Sequence, residues 1–197
     1  MNSKSTKKSN TKTVSKKPVK KSTIKNNATK VTPKKDAAKT LEDLFEGCLK
    51  DALWAENAMH KALPKMSKNA TSSKLKKALD DHKKETSDQI KTLKAVFKSI
   101  GVKAEEEKCD AMAGIIEEGE GILEDTKPGA VRDAGIIAAC QKAEHYEIAS
   151  YGTMIAYAKI LKLNEAKKLL SSILTQEKNA DKLLSKLAIS EINIKAK

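Results

Sequence analysis

Six acidic residues stand at or beside core-facing positions of helical segments: Glu56, Glu85, Glu144, Glu147, Glu177 and Asp181. Taking a carboxylate out of water is costly unless a cation accompanies it. Unpaired carboxylates gathered in one core repel one another and are driven towards protonation, whereas two divalent cations would neutralise most of that charge. Acids converging from four helices therefore describe a carboxylate-bridged two-metal site inside a helical bundle. Carboxylate and imidazole ligands suit iron or manganese, and the lack of thiolates on these faces argues against structural zinc. Taken singly, Glu56 or Glu85 reads as a solvated residue at the edge of an apolar stripe. Glu144 and Glu147 are harder to read that way, because Glu-His-Tyr-Glu interrupts a segment rich in Ala and Ile. Glu177 falls where the spacing after Ile173 calls for an apolar side chain.

Four long helices must position these acids. The first starts near Leu41, capped by Thr40, with Glu42 and Asp43 at the positive end of its dipole. Its stripe runs Leu44, Cys48, Ala52, Ala55, Met59, Leu63 and Met66, with Glu56 at the edge and Pro64 placed to kink or shorten the last turn. The second runs from Ser72 or Ser73 to Ile100 and stops at Gly101, on a stripe of Leu75, Leu79, His82, Thr86, Ile90, Leu93, Phe97 and Ile100. His82 and Glu85, three apart, share a face. Residues 102–129 make a long connection with a shorter helix over roughly Glu105–Leu123, weakened by Gly114, Gly119 and Gly121. Such a connection can carry the chain back along the bundle, so that helices two and three run parallel. Helix three spans about Ala130–Leu161, with Val131, Ala134, Ile137, Ala138, Ile148, Tyr151 and Ile155 on or near one face. Glu144, Glu147 and Tyr151 stack on one side of it, Tyr151 placed to pack or to hydrogen-bond a ligand. Helix four spans about Asn164–Leu187 on Ala166, Leu170, Ile173, Leu184 and Leu187, with Asp181 one turn after Glu177. The fold class is all-α.

Charge divides the chain in two. Residues 1–40 hold 13 lysines against one acid, Asp36, a net charge of +12 out of +13 for the whole chain. This stretch has almost no large apolar side chain with which to offset its ordering entropy, and it reads as a disordered lysine-rich tail. Residues 41–197 are almost neutral and long enough for one well-buried core, so the bundle domain is placed there. The basic start is not followed by an apolar stretch of about 7–15 residues, which argues against a secretory signal. No run of about 18 apolar residues occurs, which argues against membrane insertion. The three cysteines, Cys48, Cys109 and Cys140, lack metal-type spacing and suggest a reducing, cytoplasmic setting, with Cys48 and Cys140 as packed thiols. The tail is either a solubilising extension or an arm for nucleic acid. Its lysines suit phosphates, but it has neither arginine nor aromatic residues, so any contact would be non-specific and salt-dependent. Such an arm would place the protein at the nucleoid.

Four stretches carry a family likeness: LEDLFEGCLKDALWAENAMHKAL at 41–63, HKKETSDQI at 82–90, VRDAGIIAACQKAEHYEIASYGT at 131–153 and LLSSILTQEKNADKLLSKLA at 169–188. Through them the chain resembles the YciE/YciF-type bacterial stress proteins of the ferritin-like superfamily. The resemblance covers 41–197 and none of the tail. It implies a ferritin-like four-helix bundle with a long helix-containing crossover between helices two and three. It also implies a homodimer and a di-metal centre, iron favoured over manganese. In the superfamily pattern Glu85, Glu144 or Glu177 would bridge the metals, with Glu56, Glu147 and Asp181 as terminal ligands. Neither histidine position of that pattern holds a histidine: Asp88 follows Glu85 by three, and Asp181 stands where a histidine often does. His82 can reach in from the turn before Glu85; His145 belongs beside the site or on the surface.

Three functions fit these residues. One is a non-haem di-metal protein that binds or oxidises ferrous iron, or consumes oxygen or peroxide. Another is a DNA-associated protein whose bundle is only a dimerisation scaffold. The third is a helical stress or interaction module with a decayed metal site, a reading the missing histidines favour.

Overall fold

Local chemistry at Thr40 starts the first helix as the sequence predicts. Its hydroxyl accepts from the Asp43 amide at 3.1 Å, and the Asp43 carboxylate accepts in return from the Thr40 amide at 3.1 Å. The structure, a computed structural model, describes residues 30–35 and 37–197. The tail expected over residues 1–40 therefore lies mostly outside the described residues. Within the compact unit Ala38–Lys197 the helices are α1 (Leu41–Asn69), α2 (Ser73–Ser99), α3 (Asp110–Asp125), α4 (Ala130–Ile160) and α5 (Asn164–Leu187). A π-helical turn, Ala188–Ile192, and a last helical turn, Asn193–Lys195, extend α5. Helices three and four of the sequence reading are α4 and α5; α3 is the connecting helix. Among the described residues no helix is long and apolar enough to cross a membrane.

Each long helix packs against two others, α1 against α2 and α4, and α5 against α2 and α4. The core lies in two apolar layers. One joins Phe45, Leu49 and Leu53 of α1 to Phe97 of α2, Tyr151 and Met154 of α4, and Leu170 and Ile173 of α5. The other joins Met59 and Leu63 of α1 to Leu75 and Leu79 of α2, Ile136 and Ile137 of α4, and Leu184 of α5. The first half of α1 thus shares a layer with the second halves of α2 and α4 and the first half of α5. Hence α1 and α5 point one way, α2 and α4 the other. Four of the six acids, Glu56, Glu144, Glu147 and Glu177, are buried near the middle of their helices, between the two layers.

Two expectations along α1 need correction. Its early stripe is Phe45, Leu49 and Leu53, not Leu44 and Cys48: Leu44 is 44% exposed and Cys48 only half-buried. This rotation carries Glu56 from the edge into the core, where it is 1% exposed. Pro64 neither ends nor shortens the helix, which continues to Asn69. The proline faces outwards, where water can take up the carbonyl it leaves unbonded.

The connection also differs. Helix α3 begins at Asp110, five residues later than the periodicity predicts, because the preceding stretch is pinned to α1. The Glu107 amide donates to the Lys50 carbonyl at 3.3 Å, and the Asn57 amide donates to Glu106 Oε1 at 3.1 Å. Cys109 caps the helix, its sulfur accepting from the Met112 amide. Close packing of α3 on α4 uses glycines: a Cβ at Gly135 would lie 2.5 Å from Ile122 Cγ2. On α4, Val131 is exposed while Ile136, Cys140 and Ala143 are buried, because α3 covers a second side of this helix. Asp133, buried in the first turn of α4, accepts from the Thr71 amide at 2.6 Å and the Ser72 amide at 2.8 Å. It ties the α1–α2 turn to the start of α4.

Candidate metal centre

Between the two apolar layers, α1 contributes Glu56, α2 His82, α4 Glu144 and Glu147, and α5 Glu177, all buried. His82, Glu144, Glu147 and Glu177 each offer a ligand atom, and these atoms all lie within 4.8 Å of one another. His82 Nε2 is 3.3 Å from Glu144 Oε1. Glu56 accepts from the Tyr151 hydroxyl, and Glu177 accepts from the Gln89 side-chain amide. Glu144 Oε2, Glu177 Oε2 and His82 Nδ1 are buried with no hydrogen-bond partner among the described residues.

Burial holds the carboxyls of Glu56, Glu144 and Glu147 well above the ordinary range, and their mutual repulsion, with Glu177, pushes them further. Glu177 is raised by burial too, and this is opposed by the Glu144 contact, by His82 and by the Gln89 amide. The Tyr151 hydroxyl is pushed far up by burial and the Glu56 charge, so it stays a proton donor. Among the described residues no lysine or arginine pairs with these four acids; the one basic partner is His82.

A divalent cation fits this set. Metal–ligand bonds of about 2.1 Å place opposite ligand atoms about 4.2 Å apart, close to the spacing present. The unpartnered oxygens of Glu144 and Glu177 and the inward-facing Nε2 of His82 are ligand atoms of the required kind.

Not all the acids expected from the sequence come together. Glu85 points outwards, its side chain 48% exposed, with its Oε2 3.8 Å from His82 Nδ1. Asp181 lies outside the group of four, accepting from Gln141 Nε2 at 3.0 Å and facing His145 Nε2 at 3.4 Å. His145 is thus beside the site and largely exposed. The helical period explains Glu85: with His82 and Thr86 inward, a residue three beyond one and one short of the other is turned to the rim.

The family described as "Domain of unknown function (DUF892)" matches residues 40–197. The chain belongs to this family. DUF892 membership agrees with the resemblance read from the sequence, to YciF-like bacterial stress proteins within the ferritin-like superfamily. Protein YciF of Escherichia coli is 43% identical over 159 residues, covering 80% of this chain and 96% of YciF. The crystal structure of the E. coli stress protein YciF is similar with a TM-score of 0.76, covering 79% of this chain and 99% of that one. The YcfI protein of Rhodopseudomonas palustris is 40% identical with a TM-score of 0.74, over 75% of this chain and 94% of that one.

In this DUF892 chain the residue that periodicity missed is Gln89. The predicted stripe passes through its apolar neighbour Ile90, yet Gln89 is buried and Ile90 only partly so. A spacing of seven from His82, two full turns on, was the available signal. Tyr151 both packs in the core and hydrogen-bonds Glu56. Cys140 is a packed thiol, pushed up to about 12 by burial and the Glu144 charge.

Proposed function

We propose that this protein is a stress-associated ferritin-like protein that holds two divalent metal ions, iron in preference to manganese, in a carboxylate-rich centre. Glu56, Glu144, Glu147, Glu177 and His82 would hold the metals, with Gln89 and Tyr151 orienting two of the acids. The observation that carries this reading is the buried group of acids with one imidazole and, among the described residues, no lysine or arginine to neutralise it. A pair of ferrous ions supplies the electrons for reducing oxygen or peroxide. The protein's own part is to exclude bulk water between two apolar layers, to fix Glu177 through Gln89, and to keep a proton on the Tyr151 hydroxyl against Glu56.

The stress association rests on the likeness to the E. coli stress protein YciF. A homodimer with the four-helix crossover topology is part of the proposal, as the family resemblance implies. So is non-specific nucleic-acid association through the 13 lysines of residues 1–40, which would hold metal chemistry close to DNA in the cytoplasm. Deleting residues 1–38 should abolish DNA binding that weakens from about 50 to 300 mM salt. Binding that survives the deletion sinks the role of the tail.

One observation favours a second reading. On α2 the residues matched to the superfamily's Glu and His, Glu85 and Asp88, are exposed, and the buried polar side chains there include Thr86 and Gln89 instead. A bundle with a decayed site, serving as a DNA-associated or structural stress protein, fits that substitution.

Metal analysis after anaerobic loading with ferrous iron decides between them. The first reading expects about two metals per chain, lost in the Glu144→Gln/Glu177→Gln double variant while circular dichroism stays helical. Iron retained stoichiometrically by that variant, or none taken up by the natural sequence, rejects it.

A further inference from the structure

A buried centre needs a way in for its ions. Between α2 and α5 lies a cleft of about 250 Å³ lined by Asp81, His82, Glu85 and Asn179 with apolar wall residues including Leu79 and Leu184. The cavities bordered by Trp54 and Lys61, by Cys48 and Tyr146, and by Met59 and Cys140 contain none of the five proposed ligands. This cleft does contain one, and that residue spans the wall. His82 is buried, its Nε2 lies 3.3 Å from Glu144 on the core side, and its Nδ1 lies 3.8 Å from the exposed Glu85 carboxylate. Among the described residues His82 Nδ1 makes no hydrogen bond.

From this juxtaposition we infer that the α2–α5 cleft is the portal through which a divalent cation reaches the centre, with Glu85 capturing the ion at the rim and His82 handing it to Glu144. The inference rests on the metal-centre reading and deepens it. Chemistry fits each stage. Glu85 puts a carboxylate at a solvent-open mouth, where it can draw in a cation, whereas the neighbouring Asp81 is held by Lys77 and Lys84. The imidazole then offers a neutral nitrogen ligand between an outer and an inner carboxylate, so that an ion need not shed its water and its charge compensation together. Glu85 thereby gains a role that its exposure denies it as a resident ligand.

The test measures how fast cobalt(II) is taken up by the full chain, followed as the visible absorption of the bound ion after rapid mixing, with the final amount bound read separately. Glu85→Lys reverses the charge at the mouth on an exposed side chain, so folding should be untouched. Glu120→Lys makes the same charge change beside the Trp54 cavity and serves as control. Glu85→Lys should slow uptake about tenfold or more with an unchanged end point, and Glu120→Lys should leave the rate as it was. Filling the cleft with Ala180→Phe should slow uptake as well. Equal effects of the two lysine variants, or none from Glu85→Lys, overturn the portal while leaving the centre intact. If the natural sequence binds no cobalt, the centre itself fails and the portal with it.

Discussion

Tyr151 of α4 donates its hydroxyl hydrogen to Glu56 of α1, and both side chains are only 1% exposed. The bond crosses an antiparallel helix pair at the level where the two apolar layers meet. It leaves Glu56 with one oxygen oriented by the phenol. Tyr151→Phe keeps the shape and removes the donor. We expect a loss of about 1–3 kcal/mol of stability in the metal-free protein and a fall in metal affinity of about 10- to 100-fold. Denaturant melts and metal titration check both; unchanged affinity would mean the phenol serves packing alone.

The raised acids set the sign of the pH dependence. Glu56, Glu144, Glu147 and Glu177 would ionise near 4.5 in the unfolded chain but higher in the folded one. Over that window the native state binds more protons than the unfolded state, so stability falls as pH rises. Their contribution is complete below about 4.5 and is lost as pH climbs through the folded values. Metal competes with the same protons, so affinity should rise over the same range. Thermal melts from about pH 5 to 8 should therefore decline without metal, with the gain from added metal growing at the upper end. Metal-free melts that climb over this window would contradict the protonated cluster.

An acid retained for function should cost stability when its ion is removed. Glu177 is fully buried and accepts from Gln89, a bond that a glutamine carbonyl can also accept. Glu177→Gln should stabilise the metal-free protein at neutral pH by about 1–3 kcal/mol and weaken metal binding. Destabilisation by that variant, read from urea melts, would assign Glu177 a structural role.

Asp133 offers a contrast, being buried, acidic and paired with two backbone amides of the α1–α2 turn. Asp133→Ala should lower stability by about 2–3 kcal/mol and leave metal stoichiometry unchanged. Loss of metal with no loss of stability would mean this contact acts on the centre instead.

Periodicity alone identified the four long helices, the cap at Thr40 and the buried face of α5, where Ala166, Leu170, Ile173, Glu177, Leu184 and Leu187 are all buried as predicted. An acid in an apolar register is conspicuous there because only one face of α5 is covered. On α4 the same method blurs, since α3 and the neighbouring long helices bury more than one side and the apolar residues spread around the helix. On α1 the stripe permitted two phases, and the choice between Leu44 and Phe45 depended on which ridge the other helices meet.

The sequence by itself determined the helices and put acids into their middles, because a 3.6-residue period and the cost of burying charge are local properties of the chain. Only the tertiary structure decided which side chains meet. It turned Glu85 to the rim and His82 towards Glu144, left Asp181 with Gln141 and His145, and brought Gln89 to Glu177. A residue three or four places along shares a face in every helix, but a shift of one position turns the side chain by about 100°. Whether a carboxylate then points into the core or to the rim is settled by the packing of neighbouring helices, which no single helix's sequence contains.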